Sequence, residues 1–369
     1  VENQDLSIER RKIDAIDEQI LQLLQERVGC ALRVGEKKKA MGVPLFDPAR
    51  ESRIYDRLRE RNDALSQGGS TPTLPDAAIT AIFREIISAC RNAEHPVRVA
   101  FLGPAGTNTQ EAATAYFGSA FSPLPLGTPD EVCHAVAAGG ADYGVLAIEN
   151  STHGIVSPTL DLLADSPLTV CAEIKWTIHA CLLSNTELGK ITTVYSHEQA
   201  LAQCRGWLAS HLPGASLVPV TSTARGAEMA KSQDGAAAVG AAIAANIYGL
   251  QIVARNIEDL TGNSTRFFVV GPCSGAGSTP KATGRDKTSL TFLVPHKSGA
   301  LVSVLEIFRK HGVNLSMIQS RPSRQQTWEY RFFADVQAHQ NDESLQAALA
   351  ELNQHTVSYK ILGSYPEAD

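Results

Sequence analysis

Two cations stand where a helix should be apolar. Between Leu6 and about Lys39, the residues Ile13, Ile16, Ile20, Leu23, Leu24, Ala31 and Val34 recur every three or four positions, which predicts a long amphipathic helix. Arg27 follows Leu23 by four residues and precedes Ala31 by four, and Lys38 follows Val34 by four. Both fall on the apolar stripe, eleven residues or nearly three turns apart. Lys and Arg are seldom buried alone, so the pair suits an anionic ligand; the competing reading is that both snorkel to the rim of a coiled coil. Arg10, seventeen residues before Arg27, lies ~25 Å away along one helix at ~1.5 Å per residue. A small-molecule site using both must therefore draw on two chains. In a later stripe, Ile79, Ile82, Phe83, Ile86, Cys90 and Ala93, Glu94 falls on the same face just before His95-Pro96. It is either a solvated charge at a helix end or a group that donates a hydrogen bond only while protonated.

A second set of polar groups sits at the ends of short apolar runs, in "GPAGTNT", "AIENSTHG", "VYSHEQALAQC", "VTSTARGAEMA" and "NSTRFFVV". Hydroxyls, amides and one arginine at strand ends suit a small polyoxygenated acid. "GPAGTNT" lacks the third glycine of a dinucleotide fingerprint and the lysine of a P-loop, so nucleotide binding is not supported. It provides a strand, a turn and a helix N-terminus, which serves either a carboxylate or the turn itself. On the residues alone, Asp47 reads equally well as an N-cap and Glu51 as a first-turn charge; the alternatives for Glu149 and Asn150 are loop caps, and for Arg266 half of a structural ion pair.

The elements that must position these groups fall into three segments. The first is all α: the long helix ends at Gly42 and Pro44, Asp47-Pro48 opens a second helix towards Arg61, and a third stops before Pro96. From Val97, strands and helices alternate: "VRVAFLG", "YGVLAIENS", "ITTVYSH", "ASLVPVTS", "GAAAVG" and "TRFFVVG" read as strands ending in polar loops. The Gly/Ser-rich "CSGAGSTPKATGRD" is a linker, and the remainder reads β-α-β-β-α-β. Its first helix presents Leu301, Val304, Leu305 and Phe308, and Trp328, Tyr330, Phe332, Ala334 and Val336 alternate as in a half-buried strand. The expected boundaries are 1–95, 96–272, a linker at 273–286, and 287–369.

Composition narrows the classes. The 369 residues, 43% hydrophobic and 20% charged, allow two or three ordinary globular domains. A net charge of -6 gives no excess of cations for nucleic acid. Seven scattered cysteines without a C-x-x-C pair suggest reduced thiols in the cytoplasm, and neither a leader segment nor a membrane span is expected.

The first segment resembles the all-α chorismate mutases along "RRKIDAIDEQILQLLQERVGCALRVGEKKKAMGVPLFDPARES". The resemblance implies an intertwined dimer with shared sites: Arg27, Arg50 and Arg10 of the partner subunit on two substrate carboxylates, Lys38 at the ether oxygen, and Asp47 with Glu51 at the ring hydroxyl. Cys90 and Glu94 stand where enteric relatives carry serine and glutamine, which makes Glu94 a donor to the ether oxygen. That rearrangement needs no nucleophile, only a held conformer and stabilised charge. The five strand-end motifs resemble prephenate dehydratase, implying a two-lobed, periplasmic-binding-protein-like α/β domain. There the "TRF" motif makes Thr265 the proton donor or leaving-group partner, Arg266 a carboxylate-binding or site-organising residue, and Phe267 a packing element. Thr107, Glu149, Asn150, Ser151, Ser196 and Gln203 match other site positions; Asn108, His153 and Glu198 depart from the pattern.

The last segment resembles the ferredoxin-like ACT domain. Gly299, Ala300, Leu301 and Val302 of "GALV", Asn314 and Leu315, and Gln319, Ser320, Arg321 and Pro322 of "QSRP" match its phenylalanine-binding positions, with Gln319 replacing a glutamate. Together the resemblances imply a cytoplasmic homodimer or higher homo-oligomer of phenylalanine biosynthesis. It would turn chorismate into prephenate and prephenate into phenylpyruvate, without metal or organic cofactor, under inhibition by phenylalanine. A non-catalytic amino-acid sensor, and a dehydratase with a vestigial mutase, are the competing readings.

Overall fold

Glycine 42, at φ +63°, ends a single uninterrupted helix of 40 residues, α1 (Glu2–Met41). The computed structural model describes residues 2–42, 46–66, 73–272, 281–322 and 330–368; Pro44, Trp328 and most of the expected linker lie outside them. Two more helices follow, α2 (Pro48–Ser66) and α3 (Asp76–Glu94), the latter closed by His95 in extended conformation at φ -163°. That is the geometry a following proline demands. Arg91 of α3 is buried with its guanidinium over the rings of Phe46 (5.0 Å) and Phe117 (5.4 Å) and donates to the Phe117 carbonyl at 2.7 Å. The stripe of α1, by contrast, is not inward within one chain: Ile13 is 56% and Leu23 63% exposed.

The α/β segment starts with β1 (Arg98–Leu102), α4 (Asn108–Phe117), β2 (Ser122–Leu126), α5 (Pro129–Ala137), β3 (Tyr143–Asn150), β4 (Gly154–Ile155), α6 (Ser157–Asp165) and β5 (Leu168–Thr177). A second lobe is then inserted: β6 (Cys181–Ser184), β7 (Thr193–His197), α7 (Glu198–Gln203), α8 (Arg205–His211), β8 (Ser216–Val220), α9 (Thr223–Lys231), β9 (Ala236–Gly240), α10 (Ala242–Tyr248) and β10 (Gln251–Ala254). The chain returns through β11 (Ser264–Pro272) into the middle of the first sheet, ordered β2-β1-β3-β11-β5. The second sheet runs β10-β6-β9-β7-β8. A two-lobed α/β domain is what the strand-end loops imply, although β2, β5, β6 and β10 carry no clear alternation in the sequence. β5 escaped because Glu173 and Lys175 interrupt its apolar run.

The C-terminal unit is β12 (Asp286–Leu293), α11 (Ala300–Lys310), β13 (Leu315–Pro322), β14 (Tyr330–Val336), α12 (Glu343–His355) and β15 (Ser358–Pro366), with sheet order β13-β14-β12-β15. The β-α-β-β-α-β order stands as expected. Two details differ. The covered face of α11 is Ala300, Val304, Ile307 and Phe308, and Leu305 is 37% exposed, so the stripe is rotated towards Ile307. β14 is not half-buried: Phe332 to Val336 are all buried. Helices cover one face of this sheet, and the first lobe of the α/β domain covers the other.

That second contact is close and charged. A Cβ on Gly363 of β15 would lie 2.0 Å from the Val170 carbonyl oxygen of β5, so only glycine lets the strands cross there. The Glu173 side chain, 0% exposed, meets Arg266 at 2.7 Å and Lys287 at 3.1 Å. Arg321 binds Asp161 at 2.9 Å and Arg331 binds Asp165 at 3.0 Å. The Lys360 ammonium donates to the carbonyls of Leu163, Ala164 and Ser166. Burial pushes the Glu173 carboxyl up, but the Arg266 guanidinium, the Ala368 N–H and the Lys287 ammonium outweigh it and hold it below the ordinary value of 4.5.

A folded-state pKa below the unfolded one stabilises at neutral pH, and the contribution is lost as pH falls from the ordinary value through the depressed one. Glu173→Gln therefore lowers stability near pH 7 by about 3 kcal/mol, the usual cost of leaving a buried partner unpaired. The gap to wild type narrows as pH drops below 4.5. Thermal melts of both proteins across that range measure it; coincident melts at neutral pH would show that the pair contributes nothing.

Candidate active sites

The two lobes are joined by the crossovers at 178–180 and 255–263, and between them lie two adjoining cavities of about 560 and 410 Å³. Both are lined by His153, Ile178, His197, Gln199, Gln203 and Asn263. The smaller also takes in Asn108, Asn150, Thr221, Ser222, Thr223 and Thr265. Asn150, Gln203 and Thr265, proposed from widely separated motifs, thus face one space.

Thr265 is the second residue of β11, where it pairs with Asn150 of β3 on one side and Trp176 of β5 on the other. The Asn150 amide can be oriented from its partners. Its Oδ1 accepts from the backbone N–H of Thr152 at 3.0 Å and of His153 at 3.1 Å, so that atom must be the oxygen. Its Nδ2 then donates towards Thr265 Oγ1 and Asn263 Oδ1, each at 2.9 Å. Thr265 accepts this bond and keeps its own proton for donation. Ser151 ties the loop to the strand, its Oγ accepting from Ser264 N–H at 2.9 Å. His153 Nδ1 stands 3.1 Å from Asn150 Oδ1 and 2.6 Å from Gln199 Nε2 of α7, and its Nε2 lies 2.9 Å from the same Gln199 nitrogen. Asn150 is therefore linked both to Thr265 and to the opposite lobe.

Other expected contacts fall elsewhere. Ser196 is 0% exposed and donates to the Val239 carbonyl at 2.6 Å, holding β7 to β9 instead of opening to the cleft. Thr107 donates to the Leu102 carbonyl at 3.2 Å and receives Gln110 N–H at the start of α4. Glu149 and Arg266 occupy the alternate positions of β3 and β11, so their side chains point to the face opposite Asn150 and Thr265. There the Arg266 guanidinium reaches Glu173, Asp335 and the Tyr365 hydroxyl, with Glu149 at 3.9 Å. The guanidinium is thus committed to partners on the face away from the cleft. Phe267 is buried in the core. Glu173, Asp335 and Tyr365 behind the cleft, and Asn263 beside Asn150, make contacts that the sequence reading did not single out. Only Asn263, just ahead of "STRFF", and Glu173, an acid inside an apolar run, left a signal.

In the helical unit, Arg27 and Lys38 are half-buried on α1, and Arg10 is exposed two turns into it. Glu94 is no freely solvated end charge: its Oε2 would lie 3.0 Å from a Cβ on Gly35, one turn before Lys38 on α1. Cys90, one turn earlier on α3, is buried. Asp47 immediately precedes α2, whose first turn carries Arg50 and Glu51.

In the C-terminal unit, Gly299 caps α11 at φ +80°, Ala300 is buried, Leu301 is partly covered, and Val302 is 57% exposed. Asn314 donates to Gln337 at 2.6 Å just before Leu315 opens the edge strand β13. On that strand Gln319 donates to the Ser320 carbonyl, and Pro322 pairs with Tyr330. The Arg321 guanidinium is engaged by Asp161 of the first lobe.

A cleft of hydroxyls and amides between two α/β lobes, joined to a helical unit and a β-α-β-β-α-β sheet, defines a multidomain enzyme of small organic acids. Family models agree segment by segment: chorismate mutase type II matches residues 9–95, prephenate dehydratase 99–274 and the ACT domain 288–354. A bifunctional chorismate mutase/prephenate dehydratase of Aquifex aeolicus is 42% identical over 360 residues, 97% of each chain. Among solved structures, prephenate dehydratase from Arthrobacter aurescens, in complex with L-Phe, is 37% identical, with TM-score 0.68, over 74% of this chain and 91% of that one. GqqA, described as a novel type of quorum quenching acylase, is 30% identical, with TM-score 0.69, over 73% and 98%. The chain belongs to the bifunctional chorismate mutase/prephenate dehydratase family, with both catalytic domains present. Among the described residues no helix is long and apolar enough to cross a membrane.

Asn150→Asp tests the orientation of Thr265. A carboxylate still accepts from Thr152 and His153, but it offers no donor to Thr265 and draws the threonine proton away from the cleft. Turnover of prephenate should fall on the order of 10²-fold, while loss of chorismate on the same preparation is unchanged. Prephenate turnover within a few-fold of wild type would mean that Asn150 does not orient the threonine.

Proposed function

We propose that Thr265 is the group that assists departure of the prephenate hydroxyl, and the observation that carries the proposal is its hydrogen bond from Asn150 at 2.9 Å. With its oxygen engaged as acceptor, the threonine O–H turns into the cavity as a donor. As the ring carboxylate leaves as CO2, the electron pair of its C–C bond flows into the ring and expels the hydroxyl, which takes a proton and departs as water. Aromatisation drives the step, so the protein has to orient one carboxylate, donate one proton and exclude bulk water. Gln203, Ser151 and Asn263 are suited to the remaining oxygens of the substrate. Arg266 acts behind the sheet.

In the helical unit, Arg27 and Arg50 with Arg10 of the partner subunit hold the two carboxylates of chorismate, Asp47 and Glu51 take the ring hydroxyl, and Lys38 with protonated Glu94 stabilises the ether oxygen as its bond breaks. The cation stripe supports a homodimer: an unbroken α1 keeps Arg10 ~25 Å from Arg27, and the exposed Ile13, Ile16, Ile20 and Leu23 need a second apolar surface. The C-terminal unit binds phenylalanine and inhibits the dehydratase. The L-Phe complex of the Arthrobacter relative supports this, as does an open edge strand on which a second copy can complete the site. Reduced cysteines support a cytoplasmic location.

The deciding experiment follows chorismate loss and phenylpyruvate formation separately, with phenylalanine titrated into the second assay. Thr265→Ala should abolish phenylpyruvate formation, leave chorismate loss intact and let prephenate accumulate. Phenylpyruvate production that survives within a few-fold removes Thr265 from the chemistry, and no turnover in wild type at either step favours a non-catalytic sensor. For the shared helical site, Arg10→Ala and Arg27→Ala should each lose mutase activity, and mixing them should restore part of it, because one site of each heterodimer then carries neither defect. Confirmed heterodimers that stay inactive contradict the two-chain site.

A further inference from the structure

Arg266 commits every nitrogen to groups behind the cleft. Nε donates to Glu173 at 2.7 Å, Nη2 to the Tyr365 hydroxyl at 3.1 Å, and Nη1 to Asp335. The remaining protons can be assigned without conflict. Tyr365 accepts from the guanidinium, so its O–H turns to Ser289 Oγ; Ser289 donates to Asp335 Oδ1, and Asp335 Oδ2 closes the ring by accepting from Arg266. Ser289 lies on β12, Asp335 on β14 and Tyr365 on β15, so most of the ring belongs to the C-terminal sheet. The Asp335 side chain is 1% exposed and that of Arg266 11%, so water cannot replace these partners. Phe268 lies under the guanidinium at 4.9 Å.

The residue next to this ring is Thr265. The register of β11 on β3 slips between Arg266 and Phe267, whereas on β5 it runs unbroken through Thr265, Arg266 and Phe267, so Thr265 is fixed in register from the β5 side and less firmly from the β3 side. The Arg266 side chain adds an anchor at the residue next to Thr265, beside the backbone pairing of Thr265 with Asn150 and Trp176. We propose that Asp335 and Tyr365 are positioning residues for the dehydratase reaction. They touch no substrate; by holding Arg266 from the C-terminal sheet they keep Thr265 at the place where Asn150 orients its hydroxyl into the cleft. The inference rests on the reading of Thr265 as donor. It also gives the C-terminal unit a part in dehydration when no effector is bound.

The test uses full-length Tyr365→Phe, Asp335→Asn and Asp335→Glu, with steady-state kinetics on prephenate, chorismate loss on the same preparation as a count of intact enzyme, and thermal melting. Misplacement of a reacting group by about 1 Å costs on the order of 10²-fold, and a loosened anchor should cost about tenfold. The expected result is that fall in kcat for prephenate in Tyr365→Phe and Asp335→Asn, with KM nearly constant, chorismate loss unchanged and partial recovery in Asp335→Glu. Wild-type kcat in both of the first two variants overturns the proposal, even if their melting temperatures drop, because the ring would then be only structural. If Asp335→Asn does not fold, Tyr365→Phe, which removes one oxygen, decides alone. Thr265→Ala assayed alongside separates the two failures: retained turnover there defeats the donor reading itself, and the positioning role with it.

Discussion

A guanidinium inside a protein must meet its counter-charges, and the organisation of the larger part of this chain follows from where Arg266 finds them. One, Glu173, is on the neighbouring strand of the same sheet; the other, Asp335, belongs to a different domain. Burial works against the charge, but Tyr365, Asp335 and Glu173 more than compensate, and the guanidinium holds its proton more firmly than an ordinary arginine. Burial raises the Tyr365 hydroxyl well above its usual range, so it remains a neutral hydrogen-bonding group. Neither the α/β domain nor the C-terminal sheet is electrostatically complete without the other. Gly363 over the Val170 carbonyl makes the same statement in packing.

On the opposite face of that sheet the chemistry is uncharged. Asn150, Ser151, Asn263 and Thr265 form a hydrogen-bonded set in which each amide and hydroxyl has a role defined by its neighbours. Strand alternation separates the two faces within a dipeptide: Thr265 faces the cleft and Arg266 faces the C-terminal sheet. A reaction driven by aromatisation needs a placed donor more than it needs charge, and in the proposed mechanism Thr265 is that donor.

Much of this was legible in the residues. Glycine, proline and a three-to-four periodicity marked the three helices, and polar clusters after apolar runs marked the loops that meet in the cleft. What escaped has specific causes. The periodicity of α1 says that its stripe is apolar but not which surface covers it. Ser196 looked like a strand-end hydroxyl of the site; its neighbour across the sheet, the Val239 carbonyl, is invisible locally and takes its proton. Glu173 interrupts the apolar run of β5, and its partners lie 93 and 114 positions away, out of reach of any local pattern. Arg266 was readable either as ligand or as ion pair, and only the partner strands decide.

The return of β11 to the centre of the first sheet has a consequence for biosynthesis. A ribosome delivers β1, β3 and β5 long before it delivers the strand that belongs between β3 and β5, so the first lobe cannot close its sheet while the nascent chain is shorter than about the end of β11. The inserted lobe, whose five strands are contiguous in sequence, meets no such delay. Glu173 waits longer still, since Lys287 and Arg266's second carboxylate, Asp335, emerge last. A truncated chain ending in the linker would carry a finished second lobe beside a first lobe whose buried acid and base are short of partners. Loss of the C-terminal unit would thus be felt as aggregation or proteolysis of the dehydratase, not as loss of regulation alone.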